Sequence, residues 1–320
     1  MNNKGFTYLI AVSFLIATLI VVYLSATDYG FQDQQELYKN RIVAMDNFVS
    51  DFNQDVHRAS YIASFRTLLS LEDYVAVNGE FFNNTEDQFK ETFYYGQINR
   101  SEAELMNGSS FEDYLSRVNV VAEKIGIHSN VTVTDITLSQ SDFWSIDVVI
   151  TALVNITDNH NIASWSFEKN YSTNVPIYDL RDPLYSTFTF NRVPNTIRKL
   201  DVPYLVNGTD TFNLETHING SYYLESTDAP SFLQRFENNL SPSPYGIESI
   251  VNVGLISAQE VGVCEDCIKV DYMYFNGLTD TKLCDVQNIN PNTYFVIPLN
   301  QNETYEVSNL TFSTGGSCNT

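Results

Sequence analysis

An uncharged run near the start of the chain, residues 8–26, constrains this protein more than any other stretch. An α-helix rises about 1.5 Å per residue, so this run approaches the ~30 Å thickness of the hydrocarbon core of a bilayer. It is longer than the roughly 7–15-residue apolar core of a secretory signal peptide. The alternative is a buried helix of a soluble protein, which rarely lacks charged and amide side chains over this length. The run therefore predicts a transmembrane helix over residues 6–27 that stays on the protein.

The charges that flank this run predict its orientation. Lys4 and the amino terminus precede it, and the first charged residue after it is Asp28. Because positively charged flanks remain in the cytoplasm, we expect the N-terminus inside and the rest of the chain outside. The sequence thus predicts a single-pass protein of the cell membrane with an extracellular C-terminal domain.

The balance of charge excludes one class of partner. The 320 residues include 17 basic and 39 acidic side chains, which gives a net charge of −22. Phosphate binding needs a basic face, so we expect no nucleic-acid partner. A strongly acidic surface is typical of a solvated extracellular or high-salt protein. The length is sufficient for one or two domains with sizeable cores.

Acceptor sequences for N-glycosylation, Asn-x-Ser/Thr, occur only after residue 80. Composition predicts roughly half as many by chance. The sequon at Asn239 is a poor acceptor because Pro242 follows its serine. The pattern predicts a glycosylated outer surface, and the alternative is an asparagine- and threonine-rich β surface without glycans. The other acceptor asparagines are Asn83, Asn99, Asn107, Asn130, Asn155, Asn170, Asn207, Asn219, Asn302 and Asn309.

The four cysteines all lie in the last sixty residues, at Cys264, Cys267, Cys284 and Cys318. In an extracellular domain an even number of cysteines predicts two disulfides, for which three connectivities exist. The Cys-x-x-Cys spacing of the first pair also occurs in zinc sites. A four-cysteine zinc site needs a second close pair, which this sequence lacks. We expect disulfides, with a metal site and free thiols as the alternatives.

Beyond the apolar run the chain has the pattern of a continuing helix. Apolar residues recur at spacings of three and four, and no proline precedes Pro176. Such a spacing places one apolar seam on a helix face. We expect one long helix from about residue 7 to 75, bent near Gly30, whose part over 28–77 is amphipathic. Its partner is either the protein's own β domain or another copy of the helix. The seam consists of Ile42, Met45, Val49, Phe52, Val56, Ala59 and Ala63.

The rest of the chain predicts an α+β fold in which the long N-terminal helix packs on a β-rich antiparallel ectodomain. Residues 78–126 are expected to form a connector and a second helix, with Ser110 as its N-cap and Gly126 at its end. The period then changes to that of strands, which predicts an antiparallel β region over 127–200. A second β-rich region is expected over 201–320, with a short helix over 230–239 and strands over 268–275, 282–286, 294–297 and 305–312.

No motif for catalysis, nucleotide binding or metal binding is present, so we expect neither enzymatic activity nor a cofactor. The histidines at 57, 128, 160 and 217 are isolated, which predicts surface or singly bonded side chains. Adjacent carboxylates, such as Glu72 and Asp73, diverge on a helix or strand and are expected to be solvated. The polar loops 158–161 and 207–210 are alternatives as calcium sites, although neither has the spacing of an EF-hand loop.

The residues Lys4, Gly5, Phe6 and Thr7 resemble the processing site of type IV pilins and pilin-like proteins, a class III signal peptide. The resemblance implies that residues 1–5 are a leader and that a prepilin peptidase cleaves between Gly5 and Phe6. In pilins the fifth mature residue is usually glutamate, which pairs with the free amine of a neighbouring subunit. Ile10 occupies that position here. Residues 232–237, 243–251 and 270–275 are similar to archaeal surface proteins with pilin-like N-termini.

Taken with the anchor helix, the resemblance predicts a structural or adhesive subunit, minor or specialised, of a type IV pilus-like filament. Self-association, or association with other pilin-like subunits, would use the N-terminal helix. Two other functions remain open. One is an anchored extracellular binding or receptor domain that does not polymerise, which Ile10 favours. The other is a surface hydrolase whose site is assembled from distant residues.

Overall fold

The computed structural model describes residues 4–262, 267–278, 283–285, 296–298 and 304–305. Helices and antiparallel strands together make an α+β protein, as the sequence predicts. The helices are α1 (Lys4–Asn78), α2 (Thr85–Tyr95), α3 (Phe111–Lys124), α4 (Pro183–Phe188), α5 (Phe212–Gly220), α6 (Phe232–Arg235), α7 (Val253–Ala258) and α8 (Asp271–Phe275). The strands are β1 (Gln97–Ile98), β2 (Ser101–Glu102), β3 (Ile127–Ser139), β4 (Ser145–Asp158), β5 (Ser164–Pro176), β6 (Tyr223–Glu225), β7 (Ile247–Ser249), β8 (Leu283–Asp285) and β9 (Val296–Pro298).

Helix α1 is the longest element, with 75 residues and a length of roughly 110 Å. It continues through Gly30 without interruption, so the prediction of one long helix is confirmed. The apolar seam is buried from Met45 onward, whereas Ile42 keeps 43% of its surface exposed. The buried members of the seam are Met45, Phe52, Val56 and Ala63, and Val49 and Ala59 are half-buried.

Strands β3, β4 and β5 form one sheet in sequential order, which confirms the predicted antiparallel meander. Every second residue of β4 from Ile146 to Ile156 is apolar, and each of these residues is at most 2% exposed. A turn follows Asp158, whose amide donates to the Ala163 carbonyl at 3.0 Å. The period-2 pattern therefore fixes which face of the sheet is covered.

Local capping chemistry fixes where several helices begin and end. The Ser110 hydroxyl accepts from the Asp113 amide at 3.1 Å, and the Asp113 carboxylate accepts from the Ser110 amide, as predicted for the start of α3. Gly126 follows that helix with φ +71°, a conformation that glycine adopts without strain. At α6 the cap is Ser231, whose hydroxyl accepts from the Gln234 amide.

The chain forms two compact units, each assembled from separate stretches of sequence. Buried apolar side chains of unit 1 include Met45, Phe52, Val154 and Ile156. Unit 1 comprises Met1–Val56, Arg117–Thr132 and Leu153–Lys169, and unit 2 comprises His57–Ser116, Val133–Ala152 and Asn170–Thr320.

Unit 2 contains the two-stranded antiparallel pairs β1–β2, β6–β7 and β8–β9. One of its buried clusters includes Leu184, Leu214 and Ile250, and another includes Val251 and Ile256. Most strands here are only two or three residues long, so side chains from loops and short helices supply much of the core.

The predicted strand over residues 268–275 is wrong, because Asp271–Phe275 is helix α8. Asp271 is fully buried, and its carboxylate accepts from the Tyr272 amide at 2.7 Å and from Arg235 at 2.8 Å. These contacts favour a helical first turn, and the arginine lies 36 residues earlier in the chain. The local sequence pattern that predicted a strand contains no information about a partner so distant in the chain.

The remaining predictions for this region differ in extent. The helix expected over 230–239 is reduced to Phe232–Arg235, and Asn238 lies beyond it with φ +52°. Strands β8 and β9 overlap the expected strands over 282–286 and 294–297. The strand expected over 305–312 lies outside the described residues except for Tyr305, which is in a turn.

Candidate functional site

The first part of α1 presents a continuous apolar surface. Residues Gly5–Leu24 have a mean hydropathy of 2.4, none of them is buried, and this helix is long and apolar enough to cross a membrane. Phe6, Leu9 and Phe14 each expose about 70% of their surface. Soluble monomers rarely expose contiguous apolar patches above a few hundred Å². This surface therefore needs an apolar environment, supplied by lipid or by other helices.

Two hydroxyl groups of this segment are satisfied within the helix. The Ser13 hydroxyl donates to the Ile10 carbonyl at 2.9 Å, and the Thr18 hydroxyl donates to the Leu15 carbonyl at 2.9 Å. In hydrocarbon an unsatisfied donor costs several kcal/mol, so internal bonds of this kind suit a membrane segment. Gly5 and Phe6, the predicted processing residues, are both exposed, and nothing lies within 4 Å of a Cβ built on Gly5.

Arg41 connects α1 to other parts of unit 1. Its guanidinium donates to the Ile125 carbonyl at 2.6 Å, to the Gly126 carbonyl and to the Asp158 carboxylate. It thus satisfies carbonyl groups at the C-terminal end of α3, where a cation also interacts favourably with the helix dipole. Unit 1 is therefore tied to the helix that carries the apolar segment.

The hydrogen bonds to Asp158 argue against loop 158–161 as a calcium site, because its carboxylate oxygens already have donors. Its carboxylate also accepts from the amides of His160 at 2.7 Å and Ile162 at 3.5 Å. Burial alone would raise the pKa of Asp158, but the hydrogen bonds from Arg41 and the two amides lower it below the usual value. A carboxylate that already has an arginine partner is a poor calcium ligand. Among the described residues no group of three or more His, Cys, Asp and Glu side chains is arranged to hold a metal.

Unit 2 contains a cluster of charges that sequence reasoning missed, here named the buried ion cluster: Asp182, Arg235 and Asp271. All three side chains are fully buried. Nη1 of Arg235 donates to Oδ2 of Asp182 at 2.6 Å and to Oδ2 of Asp271 at 2.8 Å. Two carboxylates thus share one guanidinium nitrogen, and Nη2 of the same group donates to the Ile247 carbonyl.

Neutral side chains complete this cluster. The Tyr223 hydroxyl donates to Asp182 at 2.7 Å, and the Ser249 hydroxyl donates to Asp271 at 3.0 Å. Burial alone would lower the pKa of Arg235, but the two carboxylates raise it above the usual value, so the guanidinium stays protonated. Because every charged member is enclosed, the cluster offers no access for a substrate. Its physical role is to join α4, α6, β7 and α8.

Two further buried acids correct the expectation of solvated carboxylates. Glu72 is 1% exposed, and burial raises its pKa to about 8, although the backbone amide and the charge of Arg181 act in the opposite direction. Its neighbour Asp73 is half exposed and pairs with Arg181 at 2.6 Å. Burial also raises the pKa of Glu248 to about 7, and the Tyr305 hydroxyl donates to it at 2.9 Å. Adjacent side chains on a helix diverge, but one of them can diverge into the core.

The histidines divide between surface and core. His57 follows the prediction, since its Nδ1 lies 3.1 Å from the Ser172 carbonyl. His217 does not, because it is fully buried and burial lowers its pKa to about 3. Its ring lies 5.8 Å from the ring of Tyr305, so it behaves as a core aromatic residue.

The predicted modification sites are placed as follows. Cys267 is 1% exposed, and no described cysteine is a free thiol. Cys284 lies in β8, while Cys264 and Cys318 lie outside the described residues, so the pairing stays a prediction. Asn155 is half-buried, and Asn302 and Asn309 lie outside the described residues. The exposed sequon asparagines are Asn83, Asn99, Asn107, Asn130, Asn170, Asn207, Asn219 and Asn239.

Comparison with known proteins gives no relative from which a function could be transferred. The chain matches no protein-family model, and no curated protein and no solved structure matches it. Function is therefore argued from the residues and the geometry described above.

Proposed function

We propose that this protein is a membrane-anchored, pilin-like surface protein that serves as a structural or adhesive subunit of a type IV pilus-like filament. The observation that carries this proposal is helix α1. Its residues Gly5–Leu24 are predominantly apolar and none is buried, whereas one face of its later turns, from Met45 onward, is buried. The N-terminal part of such a helix can contact lipid or other helices, while its C-terminal part packs in the folded region of the chain.

The proposal assigns the N-terminus to the cytoplasm and the folded units to the outside. Lys4 precedes the span and Asp28 follows it, which supports this orientation. The role is structural rather than catalytic. A hydrolase is supported less, because the side chains of the buried ion cluster, which come from distant segments, are closed to solvent.

Mass spectrometry of the membrane-bound protein tests processing. We expect a mature N-terminus at Phe6, and we expect the variant Gly5→Leu to retain all five leader residues. Asn2→Leu, a substitution of similar size within the leader, should be cleaved normally. An intact Met1 in the wild-type protein would remove processing from the proposal.

Mechanical shearing of cells that express the full chain tests assembly. A filament subunit leaves the cell in particles of high mass, whereas a permanently anchored protein stays with the membrane fraction. The second outcome would favour the other candidate, an anchored receptor that does not polymerise. Ile10 is the observation that favours this candidate, since an isoleucine cannot form the ion pair that glutamate makes in pilins.

The proposal also includes a glycosylated surface and two disulfides among the four cysteines. The exposed sequon asparagines support the first, and the buried position of Cys267 supports the second. Glycans would raise the mass above the 36.3 kDa of the chain, and chemical deglycosylation would restore it. Peptide mapping with and without a reductant would identify cysteine pairs, and four alkylated thiols without reductant would contradict the disulfides.

A further inference from the structure

A groove of about 400 Å³ opens on unit 2 between the segment that starts at Lys199 and strand β6. This volume lies in the range of roughly 300–1,000 Å³ that small-molecule sites occupy. The backbones of Lys199 and Tyr223 form a parallel bridge along the groove. Its lining combines apolar side chains with one cation and one anion, Lys199 and Glu225, and the aromatic side chain of Tyr204.

The carboxylate of Glu225 is held in place before any ligand arrives. Its Oε1 accepts from Nζ of Lys199 at 2.8 Å and from Nε1 of Trp144 at 2.7 Å. Both donors bind the same oxygen, so among the described residues Oε2 remains as an acceptor on a side chain that is 41% exposed. The two hydrogen bonds, from Lys199 first and from Trp144, lower the pKa of Glu225, so it stays ionised.

Aromatic rings adjoin this pair of charges. The ring of Tyr178 stacks on that of Trp144, with 5.5 Å between centroids and 9° between planes, and Nζ of Lys199 lies 5.2 Å from the Trp144 centroid. Tyr178 is 42% exposed and Tyr204 is 38% exposed. The surface therefore offers supported aromatic faces beside a fixed donor and a fixed acceptor.

We propose that the groove lined by Tyr204, Lys199 and Glu225, together with the adjoining ring of Tyr178 that stacks on Trp144, binds a neutral oligosaccharide. A sugar ring presents C–H groups that pack on aromatic faces, and each of its hydroxyls both donates and accepts. Glu225 accepts and Lys199 donates, which matches that requirement. An anionic ligand would meet the carboxylate and a chain of net charge −22, so a phosphorylated or acidic ligand is disfavoured. The inference rests on the adhesive part of the proposed function and names its ligand class.

The test uses full-length protein in detergent and a panel of neutral disaccharides, for example lactose, cellobiose, maltose and chitobiose. Trp144 donates to Glu225 and stacks on Tyr178, so binding is followed by tryptophan fluorescence and checked by calorimetry. We expect at least one sugar to bind with a Kd below about 10 mM. Tyr178→Ala should weaken that binding about 10-fold or more, because it removes an aromatic contact face.

Tyr61→Ala is the matched control. Tyr61 is 40% exposed and stacks on the ring of Phe65, whereas Tyr178 stacks on Trp144, the residue that donates to Glu225. We expect this variant to bind as the wild type does, and we expect Glu225→Gln to bind more weakly without a change in the circular dichroism spectrum. Failure of every neutral sugar to bind, equal binding by Tyr178→Ala, or binding only of acidic sugars would overturn the inference.

The outcome of the sugar-binding test can be distinguished from the outcome of the filament test. Sugar binding is measured on purified protein and requires no assembly. A protein that is sheared off as filaments but binds no sugar would overturn only this inference. A protein that binds sugar but stays in the membrane fraction would support the groove and favour the anchored receptor over the filament subunit.

Discussion

Replacing Glu72 by glutamine should stabilise the protein at alkaline pH. Burial raises the pKa of Glu72 from 4.5 to about 8, so the folded state holds this proton more tightly than the unfolded state does. The stability contributed by the proton is complete below pH 4.5 and is lost as pH rises through 8. Glu72→Gln has a similar volume and no titratable proton, so it escapes this loss.

The size of the effect follows from the difference between the two pKa values. At 1.36 kcal/mol for each pH unit, a rise from 4.5 to about 8 corresponds to about 5 kcal/mol in the free energy of unfolding above pH 8. Protein relaxation and water penetration reduce such values, so we expect Glu72→Gln to gain about 2–5 kcal/mol over the wild type at pH 9. Near pH 4 the two proteins should agree within about 1 kcal/mol, because Glu72 is neutral in both states.

Urea unfolding of the full-length protein in detergent, followed by tryptophan fluorescence between pH 4 and 9, measures this difference. Glu86→Gln is the control, since Glu86 is 43% exposed and forms only a surface pair with Lys90. That change should alter stability by less than about 1 kcal/mol at any pH. If the stability curves of Glu72→Gln and the wild type ran parallel from pH 5 to 9, the burial argument would be wrong.

Two further predictions concern single substitutions in unit 2. Arg235→Met should destabilise the protein by about 3–5 kcal/mol, because it leaves two buried carboxylates without their cation. The exposed change Arg100→Met should cost less than about 0.5 kcal/mol, and equal urea midpoints for the two variants would contradict a stabilising role of the cluster. Gly246→Ala should cost several kcal/mol in thermal unfolding, because its Cβ would lie 2.0 Å from the Ala229 carbonyl oxygen, whereas nothing lies within 4 Å of a Cβ at Gly262. Similar melting temperatures for Gly246→Ala and Gly262→Ala would show that the backbone moves aside without cost.

The sequence alone determined the features that depend on residues close together in the chain. The apolar run, the three-and-four spacing of the seam and the absence of proline specify α1. The cap at Ser110 specifies the start of α3, and the long apolar strand over 144–157 followed by the alternation over 165–171 specifies the meander. These features are readable because helix and strand periods and capping hydrogen bonds join neighbours within a few residues.

Only the tertiary structure decided which polar groups are buried. Asp182 and Asp271 lie 53 and 36 residues from Arg235, and no local pattern marks them as partners. Glu72 and Asp73 are adjacent acidic residues that extend from different sides of α1, and Glu72 is enclosed while Asp73 is half exposed. A buried charge is tolerated only when it is paired, and in this protein the partners come from distant segments. Such pairs can therefore be identified only in the folded structure.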